Sequence, residues 1–223
     1  MRGETEKIKE RYAKRKENIV EKHGNKTFIE KVVAEREAVY TKALKNNFTT
    51  TGNLKLIEIG AGAGANIDFF RKLRIQDEDI IAAELLPERA KTLREKFPKI
   101  TVAEGDALQL NYKNSFDIVF QSLVFTSILD VEFRKKLAAK MWAMLKPGGI
   151  ILWYDFRFNN PANRDVKAVT KTEIRDLFPQ SNNISFTHVT LAPPIGRRIG
   201  GLYNFVNSVF PFLRTHLIAV IKK

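Results

Sequence analysis

A glycine-rich segment, Glu58-Ile-Gly-Ala-Gly-Ala-Gly64, constrains the fold of this chain more than any other feature. The apolar run from Lys55 to Ile59 predicts a strand leading into it, and the pattern from Ala65 to Leu73 predicts a helix directly after it. The three glycines allow a tight turn and let a ligand approach the backbone, beside the partial positive charge of a helix N-terminus. The segment therefore predicts a strand-to-helix turn that holds a nucleotide-like ligand.

Short apolar runs alternate with amphipathic stretches from residue 54 onward, which is typical of β-α-β units and a mainly parallel sheet. Helices fit between the first five runs, for example Pro87 to Phe97 and Glu132 to Leu145. This alternation predicts an α/β fold. The seven predicted strands are Lys55 to Ile59, Ile80 to Ala83, Ile100 to Ala103, Phe116 to Phe120, Ile150 to Tyr154, Ile184 to Leu191 and His216 to Ile221.

Length and composition favour one large domain with additions at both ends, because the 223 residues are 44% hydrophobic. We divide the chain into an N-terminal helical cap at residues 1–50 and a main domain at residues 51–223. There is no cysteine and there are only three scattered histidines, so we expect no metal site. No apolar run approaches the roughly 18 to 20 residues of a membrane span, and we expect a cytoplasmic protein.

The net charge of +13 is concentrated at the two ends of the chain. Residues 1–45 carry 13 Lys and Arg against 8 Asp and Glu, and residues 155–223 carry 10 against 4. Residues 46–154 carry 15 against 13. Since the ends are expected to surround the substrate opening, this distribution favours an anionic acceptor, a nucleic acid or an acidic membrane surface. A role in solubility alone explains the charge equally well.

The glycine turn alone does not define the ligand, because Gly60-x-Gly62-x-x-Ala65 also matches the fingerprint of NAD enzymes. Two acidic positions favour a different cofactor. Glu58 can meet a cationic ammonium but would be misplaced beside a pyrophosphate, and the turn Glu104-Gly-Asp106 can bind an adenine amine. Glu84 ends the second strand, where a carboxylate binds ribose hydroxyls in both cofactor classes.

Residues 52–157 resemble the class I S-adenosylmethionine-dependent methyltransferases. The resemblance rests on five motifs in the same order, EIGAGAG, AAELLPE, AEGDA, FDIVFQS and LKPGGIILWYDF. The resemblance implies a Rossmann-like, doubly wound sheet of seven strands in the order 3-2-1-4-5-7-6, with the last strand antiparallel. It also implies N-terminal helices, a helical insertion between strands 6 and 7, and S-adenosylmethionine as the cofactor.

The same resemblance implies the cofactor contacts. Glu58 and the glycine turn would contact the methionine portion, Glu84 the ribose, and Asp106 with Ala107 the adenine, while Gln121 would lie near the transferred methyl. Purely structural roles are the alternative, since Glu84 could cap a helix and Asp106 could form an Asx-turn. The full predicted set is Glu58, Gly60, Ala61, Gly62, Gly64, Asn66, Glu84, Leu85, Gly105, Asp106, Ala107, Gln121 and Ser122.

Residues after the fourth and fifth strands should face the reacting centre, because ligands bind outside the carboxyl ends of parallel strands. We predict Asp155 as a catalytic base for a hydroxyl acceptor, with structural pairing to Arg157 or Arg164 as the alternative. Arg197 and Arg198 would clamp an anionic group, or else remain solvated. The predicted acceptor-binding residues are Tyr154, Arg157, Asn159, Asn160, Arg197 and Arg198.

Both flanks are predicted to cover the acceptor pocket, with residues 193–214 as a lid. The amphipathic stretch from Leu202 to Phe212 could instead rest on a membrane surface.

The motifs from the end of the fifth strand onward resemble a methyltransferase subgroup of bacterial surface-polysaccharide and secondary-metabolite gene clusters. These later motifs are Trp153 to Pro161, Glu173 to Pro179, Leu191 to Pro194, Arg197-Arg198 and Leu213 to His216. The predicted activity is methyl transfer to a hydroxyl of a small or glycan-type acceptor. The alternatives are N-methylation of a small molecule, and methylation or binding of RNA. We do not expect a nucleic-acid ligand, because no base-methylation motif or appended RNA-binding domain is present.

Overall fold

The computed structural model describes residues 3–17, 26–159 and 163–223, and one seven-stranded sheet forms its centre. The strands are β1 (Leu56–Ile59), β2 (Ile80–Glu84), β3 (Thr101–Glu104), β4 (Phe116–Ser122), β5 (Leu145–Phe156), β6 (Asn183–Leu191) and β7 (Arg214–Lys222). Their order is β3-β2-β1-β4-β5-β7-β6, and β7 is antiparallel to both of its neighbours. The predicted fold class and strand order are confirmed.

Helices cover both faces of the sheet, so the central strands are apolar on both sides. Neighbouring positions in a strand point to opposite faces. Ile57 and Val119 belong to one apolar cluster, while Leu56 and Ile118 belong to the other. The helices are α1 (Glu4–Glu17), α2 (Lys26–Asn47), α3 (Ile67–Lys72), α4 (Pro87–Lys96), α5 (Val131–Met144), α6 (Lys171–Leu177), α7 (Pro193–Ile199) and α8 (Tyr203–Val209).

Local signals set several helix boundaries where they were expected. Pro87 occupies the first turn of α4. The Thr170 side chain caps α6 by accepting a hydrogen bond from the Glu173 backbone amide at 3.2 Å. The strand β5 begins earlier than predicted, at Leu145, and its register against β4 is irregular before Ile150. In the described part of the chain, none of the helices combines the length and the apolarity of a membrane span.

The insertion between β6 and β7 packs on α2. Phe28 of α2 forms an edge-to-face pair with Tyr203 of α8, with ring centroids 5.8 Å apart. Gly196 of α7 lies so close to Phe28 that a Cβ atom there would be 2.3 Å from the ring. The insertion is therefore seated against the first half of α2 and the end of β6.

The fully buried Arg134 of α5 joins the loops that follow β4 and β5. Its guanidinium donates to the carbonyl of Ile128 at 2.7 Å and to the carbonyl of Lys167 at 3.0 Å. It also forms an ion pair with Glu173 of α6. Because both loops lie at the carboxyl edge of the sheet, this one side chain fixes the backbone around the site described below.

We predict that Arg134→Met lowers the free energy of unfolding by about 3 kcal/mol, because it leaves a carboxylate and two carbonyls without their partner. Chemical denaturation measures this loss. The matched control is Lys135→Met, which removes a neighbouring, exposed cation and should change stability by less than about 0.5 kcal/mol. Equal effects from the two variants would contradict the assigned role of Arg134.

Candidate active site

A cavity of about 380 Å³ lies at the carboxyl edge of the sheet and is covered by α1. The glycine turn forms one wall, and the loops after β2, β3 and β4 form the others. Among its lining residues are Thr5, Ile8, Tyr12, Arg36, Gly60, Ala61, Gly62, Asn66, Glu84, Leu85, Arg89, Gly105, Asp106, Ala107, Ser122, Leu123, Val124 and Ser127. Ten of the thirteen predicted cofactor residues lie in this lining, while Glu58, Gly64 and Gln121 lie behind it.

The glycine turn requires glycine for two reasons. Gly60, Gly62 and Gly64 have φ angles of 69°, 60° and 83°, in the left-handed region that side chains disfavour. A Cβ atom at Gly60 would also lie 2.5 Å from Val124, and one at Gly64 would lie 2.3 Å from Phe97. The turn is thereby pressed between the loop after β4 and the end of α4.

Glu84 connects the glycine turn to the start of α4. One of its carboxylate oxygens accepts from the Gly62 amide at 2.7 Å, and the other accepts from the Leu86 amide at 2.9 Å. Burial raises the pKa of Glu84, although these backbone hydrogen bonds act in the opposite direction. Each oxygen retains a lone pair for a further donor, so the carboxylate can still accept hydroxyl groups from the cavity.

Asp106 connects the loop after β3 to the N-terminal helix. Its Oδ1 accepts from the Leu108 amide at 2.9 Å, and its Oδ2 accepts from the Thr5 hydroxyl at 2.7 Å. The structure therefore shows the Asx-type turn that was the structural alternative for Asp106, and the same carboxylate also lines the cavity.

Glu58 reaches the cavity through Asn66. The Asn66 amide donates to Glu58 Oε1 at 2.7 Å, and its carbonyl oxygen accepts from Arg36 Nη2 at 3.3 Å. The second carboxylate oxygen of Glu58 and the Nε of Arg36 are both buried without a hydrogen-bond partner. An unpartnered carboxyl oxygen of Glu58 and an unpartnered guanidinium nitrogen of Arg36 are thus buried on either side of one asparagine at the cavity wall.

Burial raises the pKa of Glu58 to about 8, against the hydrogen bond from Asn66 and the charge of Arg36. The charge of Glu84 raises it further. The ionised form of Glu58 is costly without a counter-charge, so this end of the cavity favours a ligand that brings a cation. An ammonium group satisfies that requirement.

The helix α1 closes the cavity and is held by polar contacts at its first half. Glu4 accepts from the Leu129 amide at 2.9 Å and from Arg11 at 2.7 Å. Arg11 also donates to the Ser127 carbonyl at 2.9 Å. The Tyr12 and Ser127 hydroxyl oxygens lie 3.1 Å apart. The Arg89 guanidinium lies 4.7 Å from the centroid of the Tyr12 ring.

Asp155 is buried beneath the loop after β4, and it is not part of the cavity lining. Its carboxylate accepts from Gln121 at 2.9 Å and from the Thr126 hydroxyl at 2.7 Å. Gln121 in turn accepts from the Val124 amide at 3.1 Å. Burial raises the pKa of Asp155 to about 7. Its partners are therefore Gln121 of β4 and Thr126 of the loop that follows, in place of the Arg157 or Arg164 considered from the sequence.

The predicted acceptor residues do not gather around the cavity. Tyr154 is buried, with its hydroxyl 3.1 Å from that of Thr190. Asn159 accepts from the Ala168 amide at 2.9 Å. Arg157 donates to the carbonyl of Arg214 at 3.2 Å.

Arg197 and Arg198 are exposed on α7, outside the cavity lining, and Asn160 lies outside the described residues. The insertion at residues 193–214, predicted as a lid, contributes no residue to this lining. The residues that cover the cavity come from α1 instead.

Sequence reasoning missed Thr5, Arg36 and Arg89 as cavity residues. Two of them lie in the N-terminal cap, where Lys, Arg and Glu are so frequent that no single one stands out. Ile8 and Tyr12 were the available signal, because they are two of the few apolar positions in the first helix and both face the cavity.

Comparison with known proteins agrees with this geometry. Residues 57–153 match the model of a family described as a methyltransferase domain. A thiol S-methyltransferase of Mus musculus is 27% identical over 110 residues, which cover 48% of this chain and 44% of the mouse protein. An uncharacterized methyltransferase of Bacillus cytotoxicus is 25% identical over 171 residues, which cover 76% of each chain.

Among solved structures, 1,6-didemethyltoxoflavin-N1-methyltransferase of Burkholderia thailandensis shares the fold with a TM-score of 0.60 at 15% identity. The match covers 84% of this chain and 76% of that one, and that crystal contains 1,6-didemethyltoxoflavin and S-adenosylhomocysteine. These comparisons agree with the prediction from the motifs: residues 57–153 match a methyltransferase domain, and the chain has the fold of solved S-adenosylmethionine-dependent methyltransferases.

The raised pKa of Glu58 predicts a pH dependence of the cofactor-free protein. The unfolded chain releases this proton above about pH 4.5, whereas the folded chain keeps it up to about pH 8. The folded state therefore binds more protons between these values, and stability falls as the pH rises through this window. We predict that Glu58→Gln removes roughly 2 to 4 kcal/mol of this fall, measured by chemical denaturation at several pH values.

Asp155→Asn serves as the comparison, because its window ends lower, at about pH 7. A Glu58→Gln variant whose stability keeps the parental pH dependence up to pH 8 would show that this carboxyl group is not buried in its neutral form.

Proposed function

We propose that the protein transfers a methyl group from S-adenosylmethionine to a small-molecule acceptor. The observation that carries the proposal is the pair of unpartnered buried atoms, Glu58 Oε2 and Arg36 Nε, on either side of Asn66. An α-amino acid presents an ammonium and a carboxylate, which are the two groups that this pair lacks. A nicotinamide dinucleotide would place a pyrophosphate near Glu58, which would add negative charge to an already unfavourable site.

The remaining cavity residues fit the other parts of the cofactor. Glu84 would accept the ribose hydroxyls, and Asp106 with Ala107 would contact the adenine. The glycine turn has no side chain at three positions, so a ligand could approach its backbone closely. When bound, S-adenosylmethionine supplies an activated methyl group on a sulfonium.

The chain itself would then position the reactants and exclude water. Methyl transfer is an in-line displacement, so most of the rate can come from orientation in a dry site. Ser122 ends β4 and Leu123 follows it, and both line the cavity, where they would face the methyl group. Leu123 has a φ of 61°, a strained value for a side-chain residue, as is common at functional loops. The helix α1 would exclude solvent from the nucleoside end.

For the acceptor, we keep the proposal of a hydroxyl on a small or glycan-type molecule, as in polysaccharide biosynthesis. Its support comes from the sequence alone, through the resemblance of the later motifs to methyltransferases of bacterial surface-polysaccharide gene clusters. An amine is the second candidate, because the structurally similar enzyme from Burkholderia thailandensis is an N1-methyltransferase. Screening hydroxyl, amine and thiol compounds for a methyl mass gain distinguishes these acceptors.

The geometry favours Asp155 as a positioning residue over the predicted base. Its carboxylate already accepts from Gln121 and Thr126, and it holds the loop whose next residues line the cavity. Both roles predict that a variant retains cofactor binding and loses turnover. They differ in the pH dependence of that turnover, as set out below.

We predict that the protein binds S-adenosylhomocysteine with a micromolar dissociation constant in calorimetry, and that Glu58→Ala or Asp106→Ala abolishes this binding. Arg36→Ala should weaken it by roughly 10- to 100-fold, because a charged hydrogen bond to the carboxylate is lost. The control is Arg94→Ala, since Arg94 is half-exposed, pairs with Glu104 and does not line the cavity. Failure of the parent protein to bind, together with a thermal shift from NADH, would replace the proposal with a dehydrogenase.

We predict that Asp155→Asn lowers kcat at least tenfold while the dissociation constant of S-adenosylhomocysteine changes by less than about threefold. Thr126→Val should reproduce part of this loss, because it removes another contact of the same loop. A positioning role predicts that the shape of the kcat profile against pH is preserved in both variants. Loss of an ionisation near pH 7 in Asp155→Asn alone would show that the carboxylate is the base.

A further inference from the structure

The insertion between β6 and β7 exposes a cluster of large apolar side chains. Nine large hydrophobic residues are exposed in the described part of the chain, and five of them lie within residues 202–212. These five, between 40 and 68% exposed, are Leu202, Phe205, Val209, Phe210 and Phe212. Scattered exposed hydrophobics are ordinary, but a contiguous group of this kind indicates an interaction surface. We call it the insertion face.

The insertion face is held outward by the packing of the opposite side of α8. Tyr203 and Asn207 are buried and donate to the Glu35 carboxylate at 2.8 and 2.7 Å. Arg214 donates to the Asn207 side chain at 2.9 Å. Since these contacts fix one side of α8, Phe205 and Val209, one helical turn apart, are directed away from the domain.

The chain segment that contains the insertion face has basic residues and no acidic ones. No Asp or Glu occurs between residue 177 and residue 223, whereas Arg197 and Arg198 are exposed on α7. The whole chain carries +13. A second copy of the chain would bring like charge to the same surface, while an anionic lipid surface complements it.

We propose that the insertion face docks on a membrane surface rich in anionic lipid, with its apolar side chains entering the interface and Arg197 and Arg198 contacting lipid phosphates. The proposal stands independently of the proposed methyl transfer, because no residue of the insertion lines the cavity. It gives the insertion a use in place of the predicted lid.

Sedimentation with vesicles tests the proposal on the full chain. Vesicles of phosphatidylcholine alone are compared with vesicles that also contain phosphatidylglycerol, at low and at high salt. The protein should bind the anionic vesicles at low salt and should bind neutral vesicles at least tenfold more weakly. Added salt should weaken the binding, because the contribution of the arginines is screened.

Two variants separate the apolar and the charged contributions. Phe205→Ser combined with Phe212→Ser should reduce binding at least tenfold, and Arg197→Gln combined with Arg198→Gln should reduce it by a similar factor. Val131→Ser is the control, because Val131 is an exposed apolar residue, 45% exposed, at the start of α5 and outside the insertion. Unchanged thermal unfolding of each variant shows that the fold is intact, and unchanged S-adenosylhomocysteine binding shows that the cavity is intact.

Three outcomes would overturn the proposal. The first is no binding of the parent protein to anionic vesicles at low salt. The second is binding that the phenylalanine and arginine variants leave unchanged. The third is a dimer in light scattering that the phenylalanine variant abolishes, which would assign the insertion face to a second copy of the chain.

Discussion

Buried carboxylates around the glycine turn are the constraint on which the rest of this structure depends. Glu84 accepts hydrogen bonds from Gly62 and Leu86, so it fixes the turn to the end of β2 and the start of α4. Burial raises the pKa of Glu58, and the charge of Glu84 raises it further. A cation would stabilise the ionised form of Glu58, and the proposed cofactor carries both a positive sulfur and an ammonium.

The two ends of the chain have different relations to the cavity. The helix α1 covers it through Thr5, Ile8 and Tyr12, and binds Asp106 directly. The helix α2 contributes Arg36 to the cavity and Glu35 to the insertion. A single helix thus connects the site to the proposed docking surface. Arg134 holds the loops after β4 and β5, and Asp155 holds the loop after β4. Buried hydrogen-bond networks therefore set the geometry of these loops.

The sequence allowed the sheet to be predicted because each element carries its own local signal. Strands buried on both faces are continuous apolar runs, and Pro87 and Thr170 mark helix starts. The resemblance to known methyltransferases supplied the reversed β7, which no local pattern specifies. Ten of the predicted cofactor residues line the cavity because they occupy turns after consecutive strands of the sheet.

The positions of α1, of the insertion and of the Asp155 side chain were not predictable from local sequence patterns. Thr5 is hydrogen-bonded to Asp106, 101 residues away in sequence, and Glu4 to Leu129, 125 residues away. Contacts between residues so far apart produce no periodic pattern in the sequence. The insertion was expected to lie over the acceptor pocket, but the fit of Phe28 against Gly196 seats it on α2. Asp155 stood in a stretch rich in polar residues and was predicted as a base. The folded chain buries it and brings Gln121 and Thr126 to its carboxylate, and the sequence alone does not show these contacts.

The most direct test of the central claim is a crystal structure with S-adenosylhomocysteine bound, which retains the amino-acid and nucleoside parts of the cofactor. The account predicts that its ammonium lies within hydrogen-bonding distance of Glu58 or Asn66 and that its carboxylate contacts Arg36. Its ribose should contact Glu84, and its adenine should lie beside Asp106 beneath α1. A ligand that leaves Glu58 Oε2 and Arg36 Nε without partners, or that places its adenine at the glycine turn, would contradict the account.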